Sequence, residues 1–97
     1  MIAIERNYCL SNNPNLHARI EVNPIGQLDV EIIELNERHT TQFDDLSFKC
    51  SQGAIHVCGK EQTLPWQLSL ATGDGLELST LVDNANDEYE TLMRDLM

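Results

Sequence analysis

Ten residues near the middle of the chain, Lys49-Cys50-Ser51-Gln52-Gly53-Ala54-Ile55-His56-Val57-Cys58, hold two of its three cysteines and one of its three histidines. Cysteine sulfur and imidazole nitrogen bind zinc, and neighbouring thiols form disulfides or redox pairs. Strand parity limits which of these can occur. Leu46, Phe48 and Cys50 lie on one parity, Ile55 and Val57 on the other. A two-residue turn at Gln52-Gly53 pairs Cys50 with Ile55 and Phe48 with Val57, and puts all five on the core face. A three-residue turn splits that set and is rejected. Cys50 is then a small buried hydrophobe. Cys58 points to the opposite face, so the β-carbons cannot approach to the roughly 4 Å a disulfide needs. A zinc site using both sulfurs fails for the same reason, and C-x7-C lacks the tight C-x2-C of a knuckle.

His56 and Cys58 share the outer face, opposite Lys49 and Ser47. They define the alternative of a small metal- or thiol-dependent domain, completed by Cys9, His17 or His39. Lys49, His56 and Lys60 would then lower the thiol pKa. Zinc needs three or four converging ligands and only two are assured here. No cofactor and no metal is expected.

Other chemistry has no foothold. The chain contains no H-E-x-x-H, phosphate-binding glycine loop, G-x-S-x-G or C-x-x-C. Asp83-Asn84-Ala85-Asn86-Asp87-Glu88 fails as a calcium loop, because Ala85 and Glu88 stand where an acid or amide and a glycine are required. Asp44-Asp45 reads as a turn pair that bonds its own backbone. A non-enzymatic protein is expected.

Charge is the strongest global statement. Sixteen acids against six bases give a net charge of −10 over 97 residues. That argues against direct nucleic-acid binding, which needs Lys and Arg, and against docking on anionic membranes. From Asp74 onward there are seven acids against Arg94 alone. A protein partner with a basic surface fits this distribution. In size and charge the chain resembles small acidic inhibitors, namely anti-CRISPR-like proteins of phage and mobile elements, nucleic-acid mimics, and immunity proteins. The expected contacts are Glu21, Asp29 and Glu31 on a hairpin and Asp83, Asp87, Glu88 and Glu90 on a helix. The other alternative is a self-associating structural or assembly component, with a homodimer formed through an exposed strand edge.

The elements that position these residues follow from periodicity. The length suits one domain, 1–97. Odd cysteine count and the lack of a secretory signal point to a reducing cytoplasm. The fold class is α+β, mainly antiparallel β, with six to seven strands in three hairpins and a C-terminal amphipathic helix packed on the sheet. Strands are expected near 2–10, 16–22, 28–35, 46–50, 54–58, 66–71 and 76–80. In ARIEVNPIGQLDVEIIEL, the loop Pro24-Ile25-Gly26 pairs Val22 with Leu28 and Ile20 with Val30. Arg19 then lies opposite Glu31, and Glu21 opposite Asp29. Ile32-Ile33 breaks the alternation and suggests a bulge. In WQLSLATGDGLELSTLV, a turn at Gly73-Asp74-Gly75 pairs Leu70 with Leu76 and Leu68 with Leu78. The helix is expected near 84–96, with Asp83 as N-cap and Asp87, Glu88 and Glu90 in its first turns. Its apolar stripe is Ala85, Tyr89, Leu92 or Met93, and Leu96.

Overall fold

Period two is cleanest in the second and third strands. The computed structural model describes residues 3–95, Leu92 by its backbone alone. The expectations placed on Ile2, the Leu92 side chain and Leu96 lie outside the described residues. β2 (His17–Asn23) and β3 (Gln27–Ile32) pair as parity requires, with Val22 opposite Leu28 and Ile20 opposite Val30. Gly26 carries φ +102°, a left-handed backbone that favours glycine. Ile20, Val22, Leu28 and Val30 are fully buried, each contributing about 2 kcal/mol of apolar burial. The break at Ile32-Ile33 is a strand end: Ile32 is buried, and a single 3-10 turn, Ile33–Leu35, turns Ile33 outward.

β1 (Ile4–Cys9) and β4 (Glu37–Gln42) flank this hairpin and complete an antiparallel sheet in the order β1-β2-β3-β4. A second antiparallel sheet holds β5 (Ser47–Ser51), β6 (Ala54–Glu61) and β7 (Leu64–Ala71). β5 and β6 pair Cys50 with Ile55, Phe48 with Val57, Lys49 with His56 and Ser47 with Cys58. The sheets are stitched at both ends. Leu10 bridges Leu70, and the Ser11 N–H donates to the Ser69 carbonyl. At the other end Thr41 Oγ1 donates to the Lys60 carbonyl, and the Thr40 N–H donates to Glu61.

Four expectations are corrected. β4 was not expected. Its sequence, ERHTTQ, has no apolar alternation, and its inward positions are filled by polar groups with specific partners. The His39 ring stacks on Trp66 with centroids 5.4 Å apart, and Trp66 Nε1 donates to Thr41 Oγ1 at 2.7 Å. The strand at 76–80 is helix. α1 spans Thr72–Asp95, twelve residues earlier than the expected start near 84. Leu76 and Leu78 satisfy a period of two, but Gly75, Leu78, Val82 and Ala85 satisfy a helical period equally well, and these are the buried ones. β7 therefore pairs with β6, Leu70 with Ile55 and Leu68 with Val57. Asp83 is not an N-cap but lies mid-helix, and Asp87, Glu88 and Glu90 sit in the later turns. The first-turn acid is Asp74. Finally, Cys50 is exposed, because β5 is the outermost strand and its inward side chains run to the rim of the core.

Gly75 lets α1 lie close on β6. A β-carbon there would stand 2.5 Å from Ile55 Cβ. Thr72 Oγ1 donates to the Gly53 carbonyl and ties the helix start to the β5–β6 turn. Leu10, Leu70, Leu78 and Val82 close one core between both sheets and the helix.

Candidate functional site

The seven acids expected to bind a partner occupy two separate surfaces. Glu21, Asp29 and Glu31 project from the outer face of the first sheet, where the register makes two cross-strand rows. One row runs Asn7, Arg19, Glu31, Arg38. Glu31 is held between two cations: its Oε1 pairs with Arg19, and its Oε2 lies 3.2 Å from Arg38 Nη2. Arg19 also lies 3.4 Å from Glu5. The other row runs Glu5, Glu21, Asp29, Thr40. Asp29 accepts from Thr40 Oγ1 at 2.7 Å and from Gln27 Nε2 at 3.2 Å. Glu21 lies between Glu5 and Asp29 with no ion pair among the described residues. A shallow cleft of about 510 Å³ covers these rows and reaches His39. Its charge is largely satisfied internally.

α1 packs on the opposite, core-facing side. Tyr8 points inward from β1, and its hydroxyl donates to Glu77 Oε1 at 2.7 Å. Burial, then the Glu77 carboxylate, push the Tyr8 phenol well above its ordinary range. On the helix, Asp83, Asp87 and Glu90 are spaced i, i+4, i+7 and form one exposed stripe. Glu88 falls about 100° from Asp87 and belongs to the flank that carries Glu77. Asp83, Asp87 and Glu88 make no ion pair or hydrogen bond among the described residues. Glu90 accepts a hydrogen bond from Asn86 Nδ2 at 3.5 Å. The helix macrodipole gives these later-turn acids no help, since its C-terminal end is negative.

One turn acid lies against the helix, which the sequence did not indicate. Asp44 sits in the 3-10 turn Phe43–Asp45 and lines a small depression with Gly26, Gln42, Phe43, Asn86 and Tyr89. It adds a carboxylate near Asn86, which lies one helical turn from both Asp83 and Glu90. No local pattern signals this; it follows from the length of α1, whose later turns pass this loop.

The histidines and cysteines are dispersed. His17 is held by Glu34, whose carboxylate accepts the His17 backbone N–H at 2.6 Å and lies 2.6 Å from its Nδ1. The backbone bond first, and the ring second, hold the Glu34 carboxyl below its usual range. Cys9 faces His17 in register on the first sheet. His56 Nδ1 lies 2.8 Å from Ser69 Oγ on the second sheet, and Gln67 Nε2 is 3.3 Å away. His56 and Cys58 do share the outer face, but Cys9, His17 and His39 do not join them. Among the described residues no three His, Cys, Asp or Glu side chains converge on a common point. Cys58 lines a cleft of about 470 Å³ with Lys49, Lys60, Trp66 and Gln67.

No described helix is long and apolar enough to cross a membrane. Compared with protein-family models, curated proteins and solved structures, the chain matches none.

Proposed function

We propose that the chain is a non-enzymatic protein-interaction module, a small acidic inhibitor that binds a basic surface of a partner protein. The observation that supports this most is the contrast between its two acidic surfaces. Glu31 and Asp29 are occupied by Arg19, Arg38, Thr40 and Gln27, whereas Asp83, Asp87 and Glu88 make no ion pair or hydrogen bond among the described residues. Desolvating acids already paired with arginine gains a partner little, while free carboxylates on a rigid helix offer complementarity and steering. The helix acids are therefore the contacts we assign first. Glu21 and its neighbours form a secondary surface.

The target class we favour is a nucleic-acid-handling enzyme or a toxin with a basic groove, in the manner of anti-CRISPR-like and immunity proteins. Along α1 the stripe places a carboxylate every ~4.5–6 Å, from ~1.5 Å of rise per residue. A nucleic-acid strand places a phosphate every ~3.4 Å of duplex axis. The stripe carries about two-thirds of that charge density, which suits attraction to a basic protein surface better than close imitation of phosphate positions. Three free cysteines fit a cytoplasmic setting.

Reversing Asp83, Asp87, Glu88 and Glu90 to Lys tests the reading. Partner binding by the parent is expected to weaken as salt rises and to be lost in the variant. Unchanged affinity after reversal would sink the proposal.

A further inference from the structure

Of the four strands that end a sheet, β4 is met at its Thr40 N–H by the Glu61 carboxylate, β7 is met where Leu10 bridges Leu70 and the Ser11 N–H donates to the Ser69 carbonyl, and β1 leads directly into that bridge. β5 pairs with β6 alone. Its hairpin closes through Gln52 and Gly53, at φ +52° and +76°, a two-residue loop of the kind that makes the flanking residues a bonded pair. Ser51–Ala54 is that pair, so Lys49–His56 and Ser47–Cys58 are bonded as well. Phe48–Val57 and Cys50–Ile55 are the non-bonded pairs. The N–H and C=O groups of Phe48 and Cys50 therefore point away from β6, along an open edge. β5 has no proline and no bulge, and its single charge, Lys49, lies on the outer face, so within its own sequence only its five-residue length protects it.

α1 borders this edge. Its buried stripe, Gly75-Leu78-Val82-Ala85, separates two flanks. The Glu77 flank faces β1 through Tyr8 and Arg6. The other flank carries Leu76, which is 56% exposed, and then Asp83 and Asp87. That flank faces the β5 side, where Asp44 of the preceding turn shares a depression with Asn86.

We propose that β5 accepts an extended, basic segment of a partner protein as an added antiparallel strand. Its backbone bonds to Phe48 and Cys50, and its Lys or Arg side chains lie toward Asp83, Asp87 and Asp44. The occupant follows from charge. A second copy of this chain brings another −10 and another acidic flank to the same edge, while a basic strand meets unpaired acids and open backbone donors together. This inference rests on the acidic-module reading and gives its mode of engagement.

The test titrates the full chain with an acetylated, amidated eight-residue peptide alternating Lys with Val and Thr, and with its Glu counterpart. Hydrogen exchange is read by NMR. The Lys peptide is expected to slow exchange at Phe48 and Cys50 at least tenfold and to leave Lys49 and Ser51, already bonded to β6, unchanged. The Glu peptide is expected to do neither. Cys50→Pro removes an outward N–H that β6 does not use, so it is expected to keep the fold and weaken the Lys peptide at least tenfold. Asp83→Lys with Asp87→Lys is expected to weaken it several-fold, most at low salt. Loss on charge reversal with full binding by Cys50→Pro would overturn the strand-addition mode and leave the acidic-surface reading standing. Loss by neither variant overturns both. Equal binding of the Glu peptide removes the basic occupant. Protection of Phe48 and Cys50 that grows with protein concentration, with dimers in sedimentation, replaces it with a second copy.

Discussion

Gly73 and Gly75 are two residues apart, and the structure assigns them opposite responses to the same substitution. A β-carbon on Gly75 would lie 2.5 Å from Ile55 Cβ and 2.8 Å from its Cγ2, closer than such atoms are found. Ile55 is buried and β-branched in the central strand β6, so it cannot swing aside as a flexible side chain would. The helix must lift off the sheet. Overpacking of this kind costs about 1–3 kcal/mol, and a clash with a branched Cβ fixed directly to the β6 backbone places it at the upper end. Alanine's helix preference over glycine returns about 1 kcal/mol. Gly75→Ala is thus expected to destabilise by about 1–2 kcal/mol, which lowers Tm by roughly 5–15 °C in a domain of this size. Gly73 has nothing within 4 Å of its notional β-carbon. Gly73→Ala is expected to stabilise by about 0.5 kcal/mol and raise Tm by roughly 2–4 °C. Paired thermal melts by circular dichroism read both. A stabilised Gly75→Ala, or both variants falling together as turn glycines would, refutes the placement of α1 on β6.

Other substitutions test other parts of the fold. Thr63 holds φ +143° in the β6–β7 turn, beside Gln62 at +59°; Thr63→Gly should relieve strain and raise stability by about 1 kcal/mol in urea unfolding. Trp66→Phe deletes the buried bond from Nε1 to Thr41 Oγ1 and leaves that hydroxyl without its donor; a loss of about 1–3 kcal/mol is expected by the same measurement. The lowered pKa of Glu34 means that its stabilisation is full above the ordinary glutamate range and fades as pH falls through the depressed folded value. Glu34→Gln should accordingly lower Tm at pH 7 and match the parent near pH 2. A gap independent of pH would show that the His17 contacts add nothing electrostatic.

How far the sequence could be read depended on whether one period or two explained a segment. β2–β3 and β5–β6 alternate cleanly, and parity settled both turns down to the paired residues. The helix start was illegible because Gly75, Leu76 and Leu78 satisfy a strand and a turn as readily as a helix. The deciding fact, that Gly75 abuts Ile55, is tertiary. β4 escaped because its inward side chains are His39 and Thr41, whose burial depends on Trp66 of a distant strand. The β6–β7 turn escaped because Gln62 and Thr63 adopt positive φ without glycine or asparagine to announce it. The acids themselves were legible as a charge excess. What periodicity could not give was their division, since Glu31 is neutralised across strands by Arg19 and Arg38 while Asp83 and Asp87 lie midway along a longer helix and make no ion pair among the described residues.

That division is also the point on which the functional reading turns. The most direct measurement is affinity capture from native cell extract, run in parallel on the parent chain, on the variant with Asp83, Asp87, Glu88 and Glu90 reversed to Lys, and on a Glu21→Lys variant. Bound proteins are eluted by a salt gradient and identified. The acidic-helix reading requires one basic protein retained by the parent and by Glu21→Lys, released by salt, and absent from the helix variant. The same protein retained equally by the parent and the helix variant would contradict it.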